Sequence, residues 1–217
     1  MIRTDLLTGA KRVLCLGAHS DDIEIGCGGT LLRLIEQNPS VQICWAVFSG
    51  NETRRGEAIA SANAYLKPLP VTNKHVVTQN FRDGHFPVAF AEIKQVFETV
   101  KKQFASPDLI FTHFRDDRHQ DHRVIHDLTG NTWRDHTTLE YEIPKFDGDL
   151  AHPNVFAPIA ESVLRRKAQM LAEHFKSQAD KQWFTEEAFF ALPRIRGIEC
   201  NSPTKYAEAF HARKICL

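Results

Sequence analysis

Residues 12–30 read RVLCLGAHSDDIEIGCGGT. After Arg12, VLCLG forms a short apolar run ending at Gly17, and the positions just beyond carry His19, Asp21, Asp22 and Glu24. A short unbroken apolar run fits a strand buried on both faces, the situation of strands in a parallel sheet. Carboxylates, an imidazole and glycines directly after it are poor material for a core and good material for a site.

Outward from this stretch, strand-like and helical patterns alternate. A helix is expected over 29–38, with Leu31, Leu32, Leu34 and Ile35 on one face. A strand over 41–49 and a helix over 53–66 follow, then a strand over 74–79. The segment 90–104 places Phe90, Ile93, Val96, Phe97 and Val100 at helical spacing. A fourth strand is expected over 108–114 and a helix from about 120 to 132. TLEYEIP (138–144) and NVFAPI (154–159) read as further strands, AESVLRRKAQMLAEHF (160–175) as a long helix and TEEAFFAL (185–192) as a short one. The alternation predicts an α/β three-layer sandwich with a mostly parallel central sheet. No repeat and no Gly/Ser- or Pro-rich linker divides the 217 residues, so one domain over 1–217 is expected.

Composition narrows the function classes. Lys plus Arg equals Asp plus Glu at 27 each, which gives no basic face for nucleic acid. No apolar run approaches the roughly 20 residues of a membrane helix, and the first residues lack the apolar core of a secretory signal. The five cysteines, Cys15, Cys27, Cys44, Cys200 and Cys216, are irregularly spaced with no CxxC pair, which argues for reduced thiols and a cytoplasmic location.

In a doubly wound sheet of order 3-2-1-4-5, strands 1 and 4 are neighbours where the order reverses, and ligands bind beyond their carboxyl ends. Strand 1 ends at AHSDD and strand 4 at HFRDDRHQDH, so the two densest His/Asp clusters converge under this order. His19 and Asp22 stand three apart in a strand-to-helix turn, and RHQDHR offers His119, Asp121 and His122. Two imidazoles and a carboxylate, with one position left to water, match a catalytic zinc site. Asp21 and Asp22 can divide the tasks of ligand and base, but their spacing does not assign them. GCGGT is not a dinucleotide loop, because Leu31 stands where the third glycine of GxGxxG belongs. Gly26, Gly28 and Gly29 are instead expected to allow a tight turn and close packing of the following helix.

AHSDDIEIGCGGTLLRL resembles the AHPDD motif of the PIG-L/LmbE-like family of zinc-dependent N-acetylglucosaminyl deacetylases, and HQDHR resembles that family's HPDH motif. RRGEA, FRDG, PDLIFTH and YAEAF extend the resemblance over most of the chain. Ser20 and Gln120 stand where the family's two motif prolines are usual; neither proline is a ligand. The resemblance implies a Rossmann-like fold and zinc-dependent hydrolysis of the acetamide of an N-acetylated amino sugar or conjugate, releasing acetate and a free amine. It implies one Zn2+ per chain on His19, Asp22 and His122, although iron or cobalt suits the same ligands. Asp21 would be the general base, His119 the group that meets the oxyanion and leaving amine, and Asp121 the residue that orients a ligand histidine. Arg54 and Asp83 would face the substrate.

The implied partner is a small molecule, with no nucleic acid and no membrane span; a homo-oligomer remains an open option. Two other readings stand beside this one: a metal-dependent phosphoesterase or other hydrolase using the same His/Asp cluster, and a non-catalytic sugar- or nucleotide-binding module. Residues 145–156, KFDGDLAHPNVF, are either a substrate-reading loop or an ordinary connection.

Overall fold

The computed structural model describes residues 6–215. After a short helix α1 (Leu6–Gly9), the chain alternates β1 (Arg12–Gly17), α2 (Asp22–Gln37), β2 (Gln42–Ser49), α3 (Glu52–Tyr65), β3 (Lys74–Phe81), α4 (Phe90–Gln103), β4 (Leu109–His113) and α5 (Gln120–Thr132). It continues with β5 (Thr137–Tyr141), β6 (Val155–Ile159), α6 (Glu161–His174), α7 (Glu186–Glu199) and β7 (Tyr206–Ala212). Seven strands form one sheet of order β3-β2-β1-β4-β5-β7-β6. β3 through β5 are parallel neighbours, and β7 runs antiparallel to both β5 and β6. The expected 3-2-1-4-5 order therefore holds, and an antiparallel pair extends it.

β1 is buried on both faces, and its alternation divides the core. Val13 and Cys15 point into the half covered by α2, α3, α6 and α7. Leu14 and Leu16 point into the half covered by α4 and α5. Each side of the central strand thus removes apolar surface from water, the main favourable term in folding. No helix among the described residues is long and apolar enough to cross a membrane.

Three sequence expectations need correction. α2 begins at Asp22 and not at 29, so Gly26, Gly28 and Gly29 lie inside a helix and make no turn. Their role is close packing alone. A Cβ on Gly26 would come within 2.2 Å of the Tyr141 ring, and one on Gly28 within 2.7 Å of the Tyr65 hydroxyl. The helical pattern was hidden because three glycines in four positions erase the apolar periodicity on which a helix reading depends. α7 runs to Glu199, through Pro193, where the sequence offered a short helix ending at 192. Its last turn is anchored by Arg196, which donates to Glu142 at 2.9 and 2.6 Å. Finally, YAEAF belongs to a strand, β7, that the sequence reading had not placed. From it Glu208 reaches across to accept from the backbone N–H groups of Gly29 (2.9 Å) and Thr30 (2.7 Å). Lys167 Nζ bridges Glu208 and the Ile25 carbonyl, at 2.7 Å to each. This buried pair holds α2 from behind, and with it the first turn that carries Asp22.

Candidate active site

The β1–β4 pairing stops at Cys15 and Phe111, although both strands continue. Side chains then take over from the ladder. The Ala18 N–H donates to His113 Nε2 (2.9 Å), and the Tyr141 hydroxyl donates to the Leu16 carbonyl (2.6 Å). Because α2 leaves β1 toward one face and α5 leaves β4 toward the other, a crevice opens at the carboxyl ends of these strands. Both His/Asp clusters lie in it.

His19, Asp22 and His122 meet at one point. His19 Nδ1 is 3.0 Å from His122 Nε2 and 3.3 Å from Asp22 Oδ2, and Asp22 Oδ2 is 3.6 Å from His122 Nε2. A tetrahedral ion with bonds of about 2.0 Å has ligand–ligand edges of about 3.3 Å, so the triangle has the size of one face of such a site. The outer nitrogens explain which lone pairs point inward. His122 Nδ1 is 2.9 Å from Asp117 Oδ2, which places its proton there and leaves Nε2 bare. His19 Nε2 faces Asp83 Oδ1 at 3.1 Å and Asp121 Oδ2 at 3.3 Å, which assigns a proton to that nitrogen. Two nitrogens and a carboxylate oxygen therefore converge with no donor of their own among them, an arrangement that calls for a cation. Without metal the cation is a proton. Burial alone would depress His19, but Asp22, Asp121 and Asp83 outweigh it and raise its pKa well above the usual value. Burial and the neighbouring His113 push His122 down to about 3. The residues present fit a divalent metal that displaces this proton.

The other expected residues surround this point. Asp21 is the N-cap of α2 and is 3 % exposed. Its Oδ1 accepts from Arg54 Nη2 at 2.8 Å, and its Oδ2 has no partner among the described residues. Burial raises its pKa to about 6, with Arg54 holding back part of the rise. Arg54 thus sits in the site with Asp21 as its partner, and Asp83 lies at the rim with its carboxylate on His19 and its side chain 61 % exposed. His119 caps α5. Its Nδ1 accepts the Asp121 N–H at 3.2 Å, so in the neutral ring the proton lies on Nε2. Burial and His19 lower its pKa, which favours that neutral form. Asp121 is fully buried, accepts from the N–H groups of Gly84 (2.7 Å) and Phe86 (3.0 Å), and faces His19 with its Oδ2. At the two positions where the family motifs carry proline, Ser20 is buried, and Gln120 donates to the Gly84 carbonyl at 3.2 Å, tying α5 to the Asp83–Gly84 turn.

Sequence reasoning missed three members. Asp117 orients His122 and also accepts the His119 N–H at 2.8 Å; it lay in the quoted DDRHQDH, five residues before His122, and its spacing was the available signal. His113, the last residue of β4, stacks on His122 with ring centroids 3.9 Å apart and lies 3.2 Å from Asp22 Oδ2. It read as an ordinary strand residue. Lys145 Nζ binds Asp117 Oδ2 at 2.9 Å and Asp149 Oδ2 at 2.6 Å, which brings part of 145–156 to the site. Nothing in the sequence marks it. Asp147 and His152 of the same segment are exposed.

Comparison with known proteins agrees with this architecture. The chain is 26 % identical over 170 residues to the uncharacterized deacetylase YaiS of Escherichia coli K12, covering 76 % of this chain and 90 % of the relative. Among solved structures it resembles the N,N'-diacetylchitobiose deacetylase of Pyrococcus horikoshii, with a TM-score of 0.74 at 20 % identity over 96 % of this chain and 86 % of the other. It also resembles GalB, the 4-carboxy-2-hydroxymuconate hydratase of Pseudomonas putida KT2440, with a TM-score of 0.72 at 16 % identity over 95 % and 98 % of the two chains. At these identities the structural matches establish the fold. The family model PIG-L, described as GlcNAc-PI de-N-acetylase, matches residues 14–133, a span that contains both strand-end clusters. With more than half of its length in that match, the chain belongs to the PIG-L family of de-N-acetylases.

Proposed function

We propose that this protein is a zinc-dependent deacetylase that hydrolyses the acetamide of an N-acetylated amino sugar or sugar conjugate. One observation carries the reading: three metal-ready atoms of His19, Asp22 and His122 converge beside a buried carboxylate, Asp21, that has one oxygen free. A binding module has no need of that base. A hydratase shares a similar fold, and fold does not fix chemistry; the site and the family support this activity.

Bound by His19, Asp22 and His122, one zinc ion supplies a Lewis acid for the amide carbonyl and makes water more acidic. The protein groups do the rest. Asp21 Oδ2 takes a proton from the attacking water, while Arg54 fixes the other oxygen and so the direction of the lone pair. His119 presents Nε2–H to the carbonyl oxygen as charge develops there, and the proton that Asp21 took from water passes to the departing nitrogen as the C–N bond breaks. Water's oxygen ends on acetate, and the amine leaves with the added hydrogen. Asp117 and Asp121 hold the two imidazoles. The exposed Asp83 at the rim suits a sugar hydroxyl.

An acetate-release assay over a panel of N-acetyl amino sugars, with metal content measured on the same preparation, tests this reading. The expected result is acetate release with about one zinc per chain. Two metals per chain would favour a phosphoesterase, and a metal-loaded protein that binds sugars without releasing acetate would overturn the assignment.

A further inference from the structure

A second cavity lies away from the strand ends, between the last turns of α5, strands β4 and β5, and the residues that follow β7. Its wall carries Arg134, Arg213 and Lys214, none of which forms an ion pair among the described residues. Lys214 Nζ donates to the Arg134 carbonyl, and Arg134 Nε only to the Asn131 carbonyl at 3.4 Å. Arg213 lies over Gly130, with Nη1 3.5 Å from where a Cβ would stand. The one carboxylate on the wall, Glu140, is 1 % exposed and already committed. Arg115 binds it through two nitrogens, at 3.0 and 2.8 Å, and His126 Nε2 is 3.2 Å away. Asp135, just outside, is 90 % exposed and pairs with the wall residue His136 at 2.8 Å.

Neutral groups have the same bias. Trp133 is 2 % exposed, lines the cavity, and its indole N–H has no acceptor among the described residues. An indole can only donate, so leaving it unpaired in the interior is unfavourable. Three solvent-exposed cations, of which only Lys214 has a carboxylate, Asp135, close enough to act on it, and a buried donor with no acceptor among the described residues line one cavity, and an anion there would meet both.

We propose that this cavity is a second ligand site that takes a small oxyanion, a phosphate or a carboxylate. It is separate from the metal cluster: His122 and Trp133 are eleven positions apart along α5 and its C-cap, about 16 Å of helix. The proposal stands independently of the deacetylase reading, because none of its residues belongs to the catalytic crevice.

The test titrates the full chain with inorganic phosphate and, separately, with acetate at constant ionic strength, following calorimetry and tryptophan fluorescence. Saturable binding of either anion, with about one site per chain, is expected, and the anion that binds identifies the source. Arg213→Glu, a surface change whose fold is checked by its melting curve, should weaken binding about tenfold or more, the effect of losing one charge-assisted hydrogen bond and adding repulsion. Trp133→Phe should remove the fluorescence response and weaken binding. His122→Ala should leave the affinity unchanged, which separates this cavity from the metal centre. Absence of saturable binding by both anions, equal affinity in Arg213→Glu, or loss of binding in His122→Ala would each overturn the proposal.

Discussion

The two corners that meet at the crevice are built on opposite principles. The β1–α2 corner is short, Ala18 to Asp21, and supplies the atoms left open: Asp21 Oδ2, without a partner among the described residues, and the inward lone pair of His19. The β4–α5 corner, Phe114 to His119, is longer and leaves its buried carboxylate, Asp117, matched. Asp117 is bound by His122, the His119 N–H and Lys145, and Asp121 on the first turn of α5 by two backbone N–H groups. The first corner holds the open carboxylate oxygen, while the second, besides offering His119 and His122, carries the matched carboxylates that fix orientation. Groups with unmet valence must be held by something whose own valence is met, or the site would relax by pairing with itself.

Substitutions that act on one corner at a time can break this division. The largest effect is expected from His122→Ala, which opens the metal triangle: metal analysis should find the site empty and acetate release at background. Full metal content would remove His122 from the ligand set. Asp21→Asn is next. It keeps the shape but cannot take a proton, so turnover should fall by about 10²–10⁴ with metal content retained. A rate near that of the parent would exclude Asp21 as the base.

The orienting carboxylates of the β4–α5 side should respond more mildly. Asp117→Asn weakens the hold on His122 Nδ1, and chelator competition should show metal affinity lower by about 10–100-fold. An unchanged affinity would mean that the stacked His113 suffices to orient the ring.

The smallest effect concerns pH. Asp21 acts only when ionised, and burial sets its pKa at about 6, so the rate should fall as pH drops through that value. Arg54 lowers this pKa, and Arg54→Met should therefore move the acid limb to higher pH, by on the order of one unit. A limb that does not move would show that the guanidinium has no influence on the base.

Much of this was legible before any coordinates. The apolar runs from β1 to β4 and the helical spacing of α4 and α5 are local patterns, because burial on a strand or on one helix face repeats at a fixed period. The eight site residues named from the sequence all lie in or beside the crevice. The start of α2 was not legible, since its glycines answer to Tyr141 and Tyr65, residues far away in the chain. β7 was missed for a related reason: its Glu208 is explained only by the backbone of α2 and by Lys167.

By itself the sequence determined the α/β alternation, the two polar clusters at strand ends and the family, because these depend on residue types at short range. Tertiary structure alone decided which lone pairs of His19 and His122 face inward, which oxygen of Asp21 stays free, and that Lys145 and His113 join the site. Those outcomes depend on hydrogen-bond partners brought together from distant segments, and spacing along a chain carries no information about where a proton must sit.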